Sequence, residues 1–185
     1  YRARGEYDKA LRYYEEALAI SRELGNKLGI ATLLNNIGGI YRARGEYDKA
    51  LRYYEEALAI GRELGDRLGI ATLLNNIGLI YYARGEYDKA LRYYEEALAI
   101  DKELGDKSGI ATLLTNIGGI YRARGEYDKA LRYYEEALVI GRELGDKSVI
   151  SAPLNNIGAI YRARGEYDKA LRYYEEALAI SRELG

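Results

Sequence analysis

The chain has 185 residues, a formal net charge of -1 and no Cys, His, Met or Trp. Those absences remove the usual nucleophiles, the commonest general base and most transition-metal ligands, so no catalysis, metal site, cofactor or disulfide framework is expected. Its 28 Lys and Arg are interleaved with 29 Asp and Glu, leaving no basic face to displace counterions from DNA or RNA.

The segment that opens at Tyr1 returns almost letter for letter at Tyr41, Tyr81, Tyr121 and Tyr161, a period of 40 residues. Self-similarity at such a period marks stacked supersecondary units that share one core, because no single unit can bury its own apolar face. One elongated all-α domain over residues 1–185 is therefore expected, a right-handed superhelical solenoid of about nine helices. An opening in mid-repeat without an initiating Met reads as a fragment of something longer. No apolar run approaches the roughly 20 residues a membrane helix needs and no signal peptide is visible, so a cytoplasmic protein without membrane contact is expected. The lack of Cys fits a reducing compartment.

In chain order, residues 1–25 read as the lone second helix of a partial repeat, from about Glu6 to Leu24. It is expected to expose Tyr7, Leu11, Tyr14 and Leu18 where a missing partner would pack, and the last helix to present a similar face; such uncapped ends favour association between copies of the chain. Four complete helix pairs follow, over 26–65, 66–105, 106–145 and 146–185. From Glu46 to Leu64, Tyr47, Ala50, Leu51, Tyr54, Ala57 and Leu58 recur at helical spacing, with charges opposite; Asp48 is placed to pair with Arg52. Gly65 suits a left-handed cap and Asp66 an N-cap for a helix from about Leu68 to Ala83. That helix turns Leu73, Leu74, Ile77, Ile80 and Tyr81 inward, with Gly78 where a partner comes close, and ends before Gly85. Tyr supplies all 21 aromatic residues, mostly at packing positions. In the fourth pair Pro153 replaces the Leu of the other periods, which predicts a first helix shortened or kinked before it.

These residues resemble the tetratricopeptide repeat. Its pattern is met by Leu34, Ile37, Gly38, Tyr41, Gly45, Tyr47, Ala50, Tyr54 and Ala57, and the match recurs along the chain. The usual unit has 34 residues and a closing Pro, whereas here the second helix continues through Ile60 to Leu64. The longer form is similar to repeats of the spindle-orientation scaffold Pins, of kinesin-light-chain-like proteins and of bacterial and archaeal signalling arrays, some joined to CHAT-type protease domains.

In that architecture the first helices line a concave groove. The positions there not needed for packing form a stripe of Asn35, Asn36 and Arg42 in one unit and Asn75, Asn76 and Tyr82 in the next. It continues as Thr115, Asn116 and Arg122, then Asn155, Asn156 and Arg162. Amides can donate to and accept from an extended peptide backbone, while Arg can hold a carboxylate in a fork. The resemblance implies that Asn36, Asn76, Asn116 and Asn156 contact the ligand backbone. Substitutions between units collect in the stripe and in the loops between pairs, which suits an irregular ligand. The leading expectation is a protein-interaction scaffold that binds an extended, acidic peptide and does no chemistry. The alternative is a ligand-free structural or consensus-designed scaffold that self-associates end to end.

Overall fold

The computed structural model describes the backbone of residues 2–184 and the side chains of 6–183. Among the described residues there are nine helices and no strand. They are α1 (Arg2–Glu23), α2 (Lys27–Ala43), α3 (Tyr47–Leu64), α4 (Arg67–Ala83), α5 (Tyr87–Leu104), α6 (Lys107–Ala123), α7 (Tyr127–Leu144), α8 (Lys147–Ala163) and α9 (Tyr167–Leu184). Their contacts divide the chain into two compact units, residues 1–93 and 94–185, with the boundary inside α5.

Many helix ends are set by local chemistry. The short turns hold a Gly at positive φ, such as Gly45 at 75° and Gly65 at 68°, a conformation that costs glycine nothing. The first helices of the pairs begin at Asn26, Asp66 and Asp106, each accepting the backbone N–H three residues on. Each such bond is worth about 1 kcal/mol of helix stability.

In unit 1, α2 packs on α3 through Leu34, Ile37 and Ile40 against Ala50, Tyr54 and Ala57, all buried. Gly38 lets this happen: a Cβ there would lie 2.7 Å from Cε1 of the buried Tyr54 ring. Leu51 and Leu58, on the next stripe of α3, are buried as α4 stacks on it. In unit 2, Tyr134 of α7 closes over Gly118 of α6 in the same way, and Leu154, Ile157 and Ile160 of α8 cluster with Leu131 and Leu138 of α7.

The structure corrects four expectations. The first helix does not start near Glu6: residues 2–5 lengthen α1, which runs through Gly5. At Gly45 the turn is held by N–H bonds from Gly45 and Glu46 to the carbonyls of Arg42 and Tyr41, both 2.9 Å; only four residues precede Gly5, too few to present such a helix end. On α1, Leu11 and Leu18 are buried and Tyr7 and Tyr14 half-buried, while the exposed large apolar side chains are Tyr13 and Ile20, with Leu24 just past its end. The Leu stripe of a second helix faces the following pair, which α1 has. For the same reason Leu171 and Leu178 of α9 are 56% and 50% exposed, as expected of the last helix.

Asp48 does not pair with Arg52 one turn away but with Arg84 of the next repeat at 2.5 Å, and Asp8 with Arg44 and Asp128 with Arg164 do likewise. Finally, α8 is not shortened before Pro153: it has 17 residues, as many as its counterparts, with the Pro inside it. Its first turn is what differs. Val149 stands where the other periods have Gly29, Gly69 and Gly109. At Gly69 a Cβ would come within 2.8 Å of the capping carboxyl carbon of Asp66. Asp146 accordingly turns to the N–H and hydroxyl of Ser148, at 2.9 and 2.6 Å, and these donors hold its carboxyl below the usual range.

Candidate binding site

The outward stripe of the first helices follows from their packing. Leu34, Ile37, Gly38 and Ile40 face inward, which leaves Asn35, Asn36, Gly39 and Arg42 on the adjoining face. All four are half-buried, and so are Asn75, Asn76, Leu79 and Tyr82 on α4. The two helices meet through an amide ladder in which Asn76 Nδ2 donates to Asn35 Oδ1 at 3.0 Å.

A cavity of about 380 Å³ opens over this part of unit 1, lined by Asn35, Asn36, Arg42 and Asn76 together with Tyr7 and Tyr14 of α1. Arg42 forms no ion pair among the described residues. Its guanidinium lies against the Tyr54 hydroxyl, and its buried Nε has no acceptor. Burial raises the Tyr54 pKa and the Arg42 charge opposes that rise. A guanidinium walled by tyrosines, without a carboxylate, beside three amides is suited to receive a carboxylate and to bond a peptide backbone. In α4 the Arg is replaced by Tyr82, whose ring meets that of Tyr87 at 5.6 Å and 52°.

In unit 2, Thr115, Asn116 and Arg122 of α6 are half-buried in the same register. Thr115 spends its hydroxyl on the Ala111 carbonyl at 2.8 Å, while the Arg122 Nε is buried without an acceptor, like that of Arg42. On α8, Asn156 is half-buried, but Asn155 and Arg162 are exposed and Asn155 donates to the Ser151 carbonyl at 3.0 Å. The best-formed part of the stripe is thus α2 with α4.

A larger cleft, about 520 Å³, lies elsewhere, between α1 and α3, and recurs at about 430 Å³ between α7 and α9. Its floor is the stacked pair Tyr41 and Tyr53, centroids 5.4 Å apart, with Lys49 5.1 Å above the Tyr41 ring. Sequence reasoning assigned these rings to packing and missed the cleft, although Tyr and Lys at fixed places in each period were its signal. Most charges here are neutralised internally, Arg22 by Glu56 at 2.8 Å and Lys49 by Glu46 at 2.6 Å. Arg42 is half-buried and not neutralised in this way, which makes the stripe the stronger candidate.

A family model of the tetratricopeptide repeat matches residues 1–63, 29–103 and 109–183. The chain belongs to the tetratricopeptide repeat family. No curated protein sequence matches it significantly. Among solved structures it is similar to BtubC (BKLC) from P. vanneervenii, with 29% identity and a TM-score of 0.82 over 99% of this chain and 76% of that one. Aspartyl phosphate phosphatase F from Bacillus subtilis superposes with a TM-score of 0.88 at 17% identity, over all of this chain and 50% of that one. A kinesin-light-chain-type protein from Podosopora anserina with nearly identical TPR-like repeats gives 0.73 at 18%, over all of this chain and 91% of that one. Tetratricopeptide repeats are typically non-catalytic scaffolds that bind protein partners. Among the described residues no group of three or more acids could hold a metal, and no helix is long and apolar enough to cross a membrane.

Proposed function

We propose that this tetratricopeptide array binds an extended peptide along the stripe of its first helices, with side-chain carboxylates of the ligand seated on the Arg positions. The observation that carries the reading is Arg42, half-buried in a cavity with Asn35, Asn36 and Asn76 and unpaired with any acid among the described residues. Asn76, with Asn75, serves the ligand backbone in the second repeat, where Tyr82 offers a ring in place of a charge. Thr115, Asn116 and Arg122 form the matching set on α6, and Asn155, Asn156 and Arg162 on α8.

The test is enrichment from a random peptide library by the parent chain and by a variant with Asn36, Asn76, Asn116 and Asn156 all changed to Ala. Selective, acid-containing peptides that the variant loses while keeping its helicity support the reading; enrichment of nothing by either chain removes it. In a second step, Arg42→Gln should cost the acidic peptides about tenfold or more in affinity, the worth of one charge-assisted pair. The exposed Leu171 and Leu178 favour a second reading, a scaffold that self-associates through its ends. A molar mass that rises with concentration, measured by sedimentation without peptide, would point to that reading.

A further inference from the structure

At the start of α6 the chain departs from its own repeat. The position that is Gly61 in one period and Gly141 in another is Asp101, the one charged side chain found buried among the described residues, 4% exposed. It faces the first turn of α6. A Cβ on Gly109 would lie 2.8 Å from the Asp101 carboxyl carbon and 2.9 Å from Asp106 Oδ2, so two carboxyl groups converge on one point.

The donors there are already committed. The Gly109 N–H bonds Asp106 Oδ1 at 3.0 Å and the Ile110 N–H bonds the Asp106 carbonyl at 2.9 Å. Asp101 Oδ1 has no donor. The other charged groups nearby are Lys102 and Glu103, next on α5, and Lys107 of α6, whose ammonium is held by Glu143 of α7 at 3.1 Å. Among the described residues no cation is paired with Asp101.

We propose that Asp101 makes the junction of α5 with α6 a proton-operated joint. Protonated, it is a neutral acid that can donate to the Asp106 carboxylate and close the junction. Ionised, it is a buried charge beside a second carboxylate, and it loosens the first turn of α6. Burial first, and the Asp106 charge second, raise its pKa from 3.8 to about 6. A folded-state value above the unfolded one means that the native chain holds the proton more tightly. Stability from this group therefore falls as pH rises from about 4 to about 6, and the penalty is fully present at neutral pH.

The experiment follows the Asp101 carboxyl carbon by NMR and measures urea unfolding from pH 4 to 7 in the parent, Asp101→Gly, Asp101→Asn and Asp106→Asn. Gly is the residue of the sister junctions, and Asn at 106 is the cap the chain itself uses at Asn26, so each variant fits. The carboxyl should titrate near pH 6, and lower in Asp106→Asn. The unfolding constant of the parent, divided by that of Asp101→Gly, should rise about fiftyfold between pH 4 and 7, somewhat less than the full tenfold per unit of pKa shift because the unfolded carboxyl is already half ionised at pH 4. Taking ratios across pH cancels any pH-independent cost of the substitution, and Asp101→Asn should behave as Asp101→Gly does. Amide exchange at Gly109 and Ile110 should also quicken relative to Gly69 and Ile70 over that range. A carboxyl midpoint below about 4.5, or parallel pH profiles in parent and Asp101→Gly, would overturn the proposal.

Discussion

Gly61 and Gly141 occupy the same place in their periods, yet their surroundings dictate opposite responses to one methyl group. A Cβ on Gly61 would find only Ile70 Cγ1, at 3.4 Å, an ordinary contact. Gly61→Ala should therefore stabilise the chain by about 0.5–1 kcal/mol, the helix-propensity gain of Ala over Gly. On Gly141 the same atom would meet Ile150 Cγ1 at 2.9 Å and Val149 Cγ2 at 3.1 Å. Gly141→Ala should then be destabilising, by about 1–3 kcal/mol if the packed neighbours cannot yield. Urea unfolding of the two variants checks the pair, and shifts of the same sign would refute the packing argument. The sequence announces that both positions are small, but the sign of each effect depends on how closely the first turn of the next helix approaches, through Ile70 at one and through Ile150 and Val149 at the other. Asp101 was legible in the same way and overlooked: the periods carry Ser21, Gly61, Gly141 and Ser181 at its register, and a carboxylate among small residues was the signal.

The helices of the complete pairs were readable from the sequence almost to the residue where an end has its own chemistry: Asp66 caps α4 and Gly65 closes α3 as their types predict. What could not be read was the competition between neighbours, as in α8. A Pro in a helix interior removes one backbone bond and costs about 3 kcal/mol or more, which argued for a later start. The Asp146 cap, bound to Ser148, and the burial of Ile150 and Pro153 instead hold all 17 residues in the helix. Pro153→Leu restores the residue of Leu33, Leu73 and Leu113 and should stabilise unit 2 by up to about 3 kcal/mol. It should also slow amide exchange in the first turns of α8 while leaving α2 unchanged. Unaltered protection in α8 would show that the Pro costs the helix nothing.

Scaled to the whole chain, the periodicity carries a stronger consequence, that one period can be excised without leaving a scar. Removing residues 26–65 joins Gly25 to Asp66, the same Gly-Asp step that the chain has at Gly65 and Asp66. α1 would then meet α4 directly. Leu11 and Leu18 take the places of Leu51 and Leu58, and Asp8 inherits Arg84, the present partner of Asp48. In an array whose stability is a sum of unit and nearest-neighbour terms, losing one unit and one interface lowers the total without changing the kind of structure. The shortened chain, 145 of 185 residues, should keep the mean helicity of the parent. Its urea dependence of unfolding should fall by about a fifth, in step with the surface no longer buried, and its unfolding midpoint should fall too. Loss of helicity or of a cooperative transition would mean that contacts beyond the adjacent repeat hold the fold together, and that the near-identity of the periods does not make them exchangeable.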